Sequence, residues 1–118
     1  VPLNPLTDDQ KKDVEVRKLY AVGSSELGRS ELHRAYATFQ RVLELDPTFL
    51  AVLKEMVPLA LQLGKADEGI EYCRRALEID PDDPKLLQLY ANRIAEAGKT
   101  EEAAEKLERA SQIPGLLE

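Results

Sequence analysis

The sequence predicts an all-α protein built as a stack of three antiparallel helical hairpins. Three observations predict this fold class: a 34-residue internal repeat, apolar residues at helical spacing, and a glycine or Asp-Pro signal where each helix should end. The repeat is plainest in the motif RVLELDP at 41–47, which recurs as RALEIDP at 75–81 and more weakly as RASQIP at 109–114. Three copies therefore occupy residues 16–49, 50–83 and 84–117.

The first helix is predicted to begin ahead of the first copy. The sequence TDDQ at 7–10 has the pattern of a capping box, in which Thr7 accepts a hydrogen bond from the Gln10 amide and Gln10 reaches back. We therefore expect this helix to run from about Asp8 to near Leu27. Residues 1–15 then form an N-terminal cap segment whose charged face closes the stack.

The remaining helices follow from stop signals within and between the copies. Gly64-Lys65 and Gly98-Lys99 separate the two helices of copies 2 and 3, because glycine adopts the left-handed conformation that ends a helix. Asp-Pro at 46–47 and at 80–81 ends the second helix of copies 1 and 2. Pro58 falls inside the predicted first helix of copy 2, where we expect a kink and a Lys54 carbonyl freed from its usual donor.

Composition indicates one small domain and excludes several classes of function. The chain has 118 residues, 32% of them charged and 43% apolar, with a formal net charge of −6. This acidity does not favour a nucleic-acid partner, and no apolar run is long enough to predict a membrane span. A single Cys73 and a single His33 allow neither an internal disulfide nor a multi-histidine metal site, and no cofactor is predicted.

The repeat resembles the tetratricopeptide repeat family, whose 34-residue helix-turn-helix period and closing proline are matched over residues 16–117. The resemblance implies a right-handed superhelical solenoid. Large residues of the family pattern fall at Leu19, Leu53 and Leu87, and small residues at Gly23, Ala35, Ala91 and Ala103. Val57 and Gly69 depart from the pattern, and a bulkier Val57 facing a smaller Gly69 would keep the volume of that hairpin unchanged.

No catalytic pattern stands out in the sequence. Ser24 and Ser25 belong to no nucleophile motif, and the acidic pairs at 82–83 and 101–102 stand at expected helix starts, where negative charge favours the helix dipole. Cys73 is expected to be a buried small apolar residue, and His33 a surface residue. The sequence therefore predicts a protein that is not an enzyme.

The resemblance implies that the concave face, lined by the first helix of each copy, binds a protein or peptide partner. The family positions that line this groove hold Arg17, Tyr20, Ser24, Lys54, Gln62, Lys85, Gln88 and Asn92, with Leu27, Pro58, Leu61, Ala95 and Glu96 beside them. One hypothesis is that Arg17, Lys54 and Lys85 hold an acidic or C-terminal carboxylate group. The competing interpretation is that these cations are simply solvated.

Two further interpretations bear on the partner. The family members that clamp chaperone C-terminal peptides use five positions that here hold Tyr20, Ser24, Glu55, Lys85 and Leu89, of which only Lys85 matches, so that type is rejected. The alternative function is homo-oligomerisation, such as a homodimer, or an intra-chain scaffold role through an uncapped last helix, with interface candidates Leu107, Ala110, Ile113, Leu116 and Leu117.

The location of the protein is predicted only weakly by its sequence. The chain carries no signal-peptide pattern at its start and no disulfide, which favours a cytoplasmic location. It begins with Val1 rather than Met, a feature typical of an excised or processed piece of a longer chain.

Overall fold

The computed structural model describes residues 4–96 together with 102, 105, 106, 108, 109 and 112. Five α-helices are defined in this part of the chain: α1 (Asp8–Gly28), α2 (Leu32–Leu45), α3 (Leu50–Gln62), α4 (Ala66–Ile79) and α5 (Pro84–Glu96). Residues 102, 105, 106, 108 and 109 are also helical. The described residues include no β-strand, and the prediction of an all-α helical-repeat fold is confirmed.

The chain divides into two compact units, residues 1–52 and residues 53–118. The first unit contains α1, α2 and the first residues of α3, and the second contains the rest of α3 with α4 and α5. The three predicted copy boundaries, and the prediction that they form one domain, stay predictions.

In the first unit, α1 begins where the capping box places it. The Gln10 amide donates to the Thr7 hydroxyl at 3.1 Å, and the Thr7 amide donates to Gln10 Oε1 at 2.9 Å, so the predicted box is confirmed. Packing of α1 on α2 depends on Gly23, since a Cβ there would lie 2.5 Å from Cε1 of Phe39. Phe39 is fully buried, and only a residue without a side chain lets its ring lie against α1.

In the second unit, α3 is an unbroken α-helix through Pro58, and the predicted kink stays a prediction. The turn that follows matches the predicted stop signal: Gly64 has a φ of 75°, and the Lys65 amide donates to the Ala60 carbonyl at 2.8 Å. The second such signal, Gly98-Lys99, lies outside the described residues. Gly69 faces α3, because a Cβ added to it would lie 3.4 Å from the Val57 carbonyl oxygen.

The two chemically notable single residues have the positions expected for structural ones. Cys73 is buried and donates its thiol hydrogen to the Leu86 carbonyl at 3.3 Å, and burial, with the nearby Asp83 charge, raises its pKa to about 12. His33 is exposed in the first turn of α2. None of the helices defined in residues 4–96 is long and apolar enough to cross a membrane.

Candidate functional site

A cleft between α3 and α5 is the best-formed concave surface of the second unit that combines apolar walls with charged side chains. It encloses about 280 Å³ and is lined by Lys54, Val57, Pro58, Asp83, Lys85, Leu86 and Leu89. The spacings 54, 57, 58 on α3 and 85, 86, 89 on α5 place these side chains on one face of each helix. We call this surface the α3–α5 cleft.

Lys54 is held inside this cleft by two carboxylates of the same chain. Its Nζ lies 2.7 Å from Asp83 Oδ2 and 3.1 Å from Asp80 Oδ2. The hydrogen bond to Asp83, followed by that to Asp80, raises the pKa of Lys54 against an opposing effect of burial. Lys54 therefore joins α3 to the segment that connects α4 with α5.

Asp83 uses its second carboxylate oxygen to cap α5. Its Oδ1 accepts a hydrogen bond from the Leu86 amide at 3.1 Å, the geometry of an N-cap residue immediately before Pro84. Burial acts to raise the pKa of Asp83, but the hydrogen bonds from Lys54 and from the Leu86 amide outweigh it, and the net shift is downward. Both oxygens of Asp83 are thus occupied within the chain.

Lys85 differs from Lys54 in both exposure and pairing. It is exposed, whereas the Lys54 side chain retains only 34% of its accessible surface. Within residues 4–96 and the six described residues beyond them, no carboxylate forms an ion pair with Lys85. The cleft therefore has one occupied cation and one open to a ligand.

The remaining predicted groove residues have varied surroundings. On α1, Arg17 and Ser24 are exposed, whereas Tyr20 is half-buried with its ring centroid 5.3 Å from that of Phe49 and 6.2 Å from that of Phe39. In the second unit, Gln62 and Asn92 are exposed and Gln88 is half-buried, and none of these three lines the α3–α5 cleft. Of the groove residues predicted from sequence, the structure brings Lys54, Pro58 and Lys85 together.

Sequence reasoning did not predict four residues as part of this surface: Val57, Asp83, Leu86 and Leu89. The i, i+3 spacing of the two leucines marks an apolar helix face, but that signal is shared with every core-facing segment. Asp83 carried no local sign of its contact with Lys54, since 29 residues separate them. The interface candidates for self-assembly, Leu107, Ala110, Ile113, Leu116 and Leu117, lie outside the described residues, so that alternative stays a prediction.

Other acidic residues of the second unit make structural contacts. Asp82 Oδ1 accepts from Arg109 Nη2 at 2.8 Å, and Glu102 Oε1 accepts from the Tyr90 hydroxyl at 2.9 Å. Burial, together with the Glu102 contact, raises the pKa of Tyr90 to about 12. No group of three or more metal-ligating side chains occurs among the residues that the structure describes.

A comparison with protein families settles the class to which this repeat belongs. The tetratricopeptide repeat family matches residues 26–93, which is more than half of the chain. The chain belongs to the tetratricopeptide repeat family. Members of this family serve in general as protein–protein interaction modules on a scaffold that is generally not enzymatic, and this chain is such a module in that broad sense.

Solved structures agree with this fold. A crystal structure of MamA aligns with a TM-score of 0.71 at 20% identity, covering 82% of this chain and 57% of that chain. MamA (AMB-1) gives 0.72 at 20%, covering 90% and 63%, and MamA (MSR-1) gives 0.68 at 22%, covering 82% and 56%. This chain thus spans about three fifths of the length of these proteins, and the likeness at such identities concerns the fold alone. A search of curated proteins found no match.

Proposed function

We propose that the chain is a non-enzymatic module that binds a segment of a partner protein and uses the α3–α5 cleft as the anchor point. The observation that carries this proposal is the cleft itself: about 280 Å³ of space with walls from Val57, Pro58, Leu86 and Leu89. Pockets for small molecules usually enclose about 300–1,000 Å³. A cleft at the lower end of that range suits a side chain of a protein ligand better than a cofactor.

One anchor alone does not give a stable complex. Burying one large apolar side chain contributes about 1.5–3 kcal/mol, whereas micromolar binding requires about 8 kcal/mol. The partner therefore needs further contacts along the same surface. In the same unit Gln62, Gln88 and Asn92 are proposed to supply them, and Arg17, Tyr20 and Ser24 stay candidates on α1.

The chemistry of the second unit supports binding rather than catalysis. The thiol of Cys73 is buried and its pKa is raised, so the nucleophilic thiolate is scarce at neutral pH. Asp83, the carboxylate that lines the cleft, accepts hydrogen bonds from Lys54 and from the amide of Leu86. Neither group is arranged to attack a ligand or to exchange a proton with it.

Selection of a random peptide library on the immobilised protein tests the proposal. Selected peptides are then measured by fluorescence anisotropy on the wild type, on Pro58→Glu, which puts a carboxylate on an exposed wall of the cleft, and on Leu89→Ala, which removes part of a wall. Val22→Glu is the matched control, since it is also an exposed apolar helix residue but lies outside the cleft. Circular dichroism checks that all variants remain helical.

We expect Pro58→Glu to weaken binding by at least tenfold, Leu89→Ala to weaken it severalfold, and Val22→Glu to leave it within twofold. Peptides that bind both cleft variants as tightly as the wild type would show that the cleft is not the anchor. A library that yields no binding peptide would contradict the proposal as a whole.

A further inference from the structure

We infer that the α3–α5 cleft selects a partner segment in which an acidic residue stands next to the apolar anchor, and that Lys85, rather than Lys54, recognises the acidic residue. The inference rests on the proposed function, because it names the ligand chemistry of the same cleft. Charge complementarity between the cleft and its ligand carries the argument.

The first step is that Lys54 has no free capacity for a ligand. Its ammonium group contacts Asp83 at 2.7 Å and Asp80 at 3.1 Å, and these three groups together carry a charge of one cation and two anions. A ligand carboxylate that approached Lys54 would have to displace an internal one and would be repelled by the other. Recognition of an acidic ligand at Lys54 is therefore unfavourable.

The second step is that the acidic side of the cleft is occupied as well. Asp83 accepts Lys54 on one oxygen and the Leu86 amide on the other, so a basic ligand finds no uncommitted carboxylate among the lining residues. The charge that remains is the exposed ammonium group of Lys85. The cleft therefore favours an anionic group over a cationic one.

The third step is geometric. Lys85 lies one residue before Leu86 and four residues before Leu89, so its side chain emerges beside the apolar wall of α5. In an extended segment each residue advances about 3.3 Å, which keeps an acidic side chain one or two residues from the anchor within reach of the flexible lysine. An exposed ion pair of this kind changes affinity by about two- to fivefold, enough to rank otherwise equal ligands.

The test uses a peptide obtained from the library selection and an analogue in which the acidic residue beside its anchor is replaced by the matching amide. Both are measured on the wild type, on Lys85→Met, on Lys85→Glu and on Lys12→Glu, an exposed α1 lysine whose reversal changes the net charge equally. We expect selected peptides to be enriched in Asp or Glu within two residues of an aliphatic or aromatic residue. For the acidic peptide we expect weakening by two- to fivefold on Lys85→Met and by about tenfold on Lys85→Glu.

The same variants separate this inference from the proposed function. The amide analogue should bind the wild type and both Lys85 variants within twofold, and Lys12→Glu should change neither peptide. Equal weakening of both peptides by Lys85→Glu, or selection of peptides with basic residues beside the anchor, would overturn the inference while loss of binding in Pro58→Glu still supports the cleft. Undiminished binding in Pro58→Glu and Leu89→Ala would overturn both.

Discussion

The same pair of repeat positions forms an aromatic contact in the first unit and an ion pair in the second. Tyr20 and Phe49 lie 34 residues before Lys54 and Asp83. The two rings stand 5.3 Å apart between centroids, whereas the ammonium group and the carboxylate stand 2.7 Å apart. Each pair links the first helix of one copy to the residue that precedes the first helix of the next.

The difference shows that the repeat fixes where this link occurs but not its chemistry. Stacked rings bury apolar area and add about 0.5–1.5 kcal/mol beyond it, independently of salt. A partly exposed ion pair contributes less than about 1 kcal/mol and weakens with ionic strength. In the second unit, this ion pair lines the apolar cleft and fixes which charges a ligand can meet.

A second pair of equivalent positions differs in how volume is distributed. The first hairpin combines Gly23 on α1 with Phe39 on α2, and the equivalent residues of the second are Val57 on α3 and Cys73 on α4. All four are buried. The larger side chain has thus moved from the second helix to the first, and Gly69 provides additional space beside the backbone of Val57.

Exchanging these packing arrangements gives the largest expected effect. Gly23→Val should cost about 3 kcal/mol through a clash with Phe39, and Phe39→Cys about 3 kcal/mol through the cavity it leaves. Because the double variant reproduces the arrangement of the second hairpin, its loss should be smaller than the sum by about 1–3 kcal/mol. Urea unfolding of the four proteins measures this coupling. Additive losses would mean that the two hairpins do not share one packing rule.

Alanine at the two helix-facing glycines should have opposite effects. Gly23→Ala is expected to destabilise the protein by about 1–2 kcal/mol, because its Cβ would lie 2.5 Å from the buried ring of Phe39. Gly69→Ala is expected to stabilise it by about 0.5–1 kcal/mol, because its Cβ meets neighbours at an ordinary 3.4 Å and alanine favours a helix. Thermal unfolding compares them, and effects of the same sign would refute the packing comparison.

Variants of Asp83 separate its cap from its ion pair. Asp83→Ala loses both and should destabilise the protein by about 1–2 kcal/mol. Asp83→Asn keeps an oxygen for the Leu86 amide but loses the negative charge opposite Lys54, so we expect a loss below about 1 kcal/mol. Equal losses in the two variants, measured by urea unfolding, would show that the cap contributes nothing. Phe49→Leu, at the equivalent position of the first unit, is the control for loss of an uncharged link.

The smallest expected effect is a difference in pH and salt dependence between the two links. The pKa of Asp83 is lowered on folding, so its stabilisation is present above the unfolded value of about 3.9 and is lost as the pH falls through the folded value. The pKa of Lys54 is raised, so its share is present below about 10.4 and is lost as the pH rises through the folded value.

The free-energy difference between wild type and Lys54→Met should therefore shrink on acidification below pH 4 and in molar salt. The difference between wild type and Phe49→Leu should stay constant over the same range, because neither phenylalanine nor leucine is charged. Chemical unfolding at pH 2.5, 4 and 7 makes the measurement. A Lys54→Met difference that does not change would indicate that the lysine stabilises through its aliphatic stem alone.

Signals that act within one turn or one repeat allowed much of the fold to be predicted. The start of α1 was readable because a capping box spans four residues, and the end of α3 because Gly64 can adopt a positive φ. Burial of Cys73 followed from its alignment with Phe39 in the repeat. Each of these features depends on neighbours in the chain or on a fixed 34-residue period.

The candidate site was predictable only in part, because its chemistry depends on residues that meet through folding. The sequence placed Lys54 and Lys85 on the same predicted face, and both line the α3–α5 cleft. It gave no means of distinguishing them, since the carboxylates that pair with Lys54 lie 26 and 29 residues away.

The sequence by itself determined an all-α helical repeat of the tetratricopeptide class, because periodic apolar residues and turn signals are local. Only the tertiary structure decided which link is aromatic and which is ionic, which glycine faces a ring, and which lysine remains open beside the cleft. The physical reason is that ion pairing and close packing are set by distances between atoms far apart in the chain, and those distances exist only after folding.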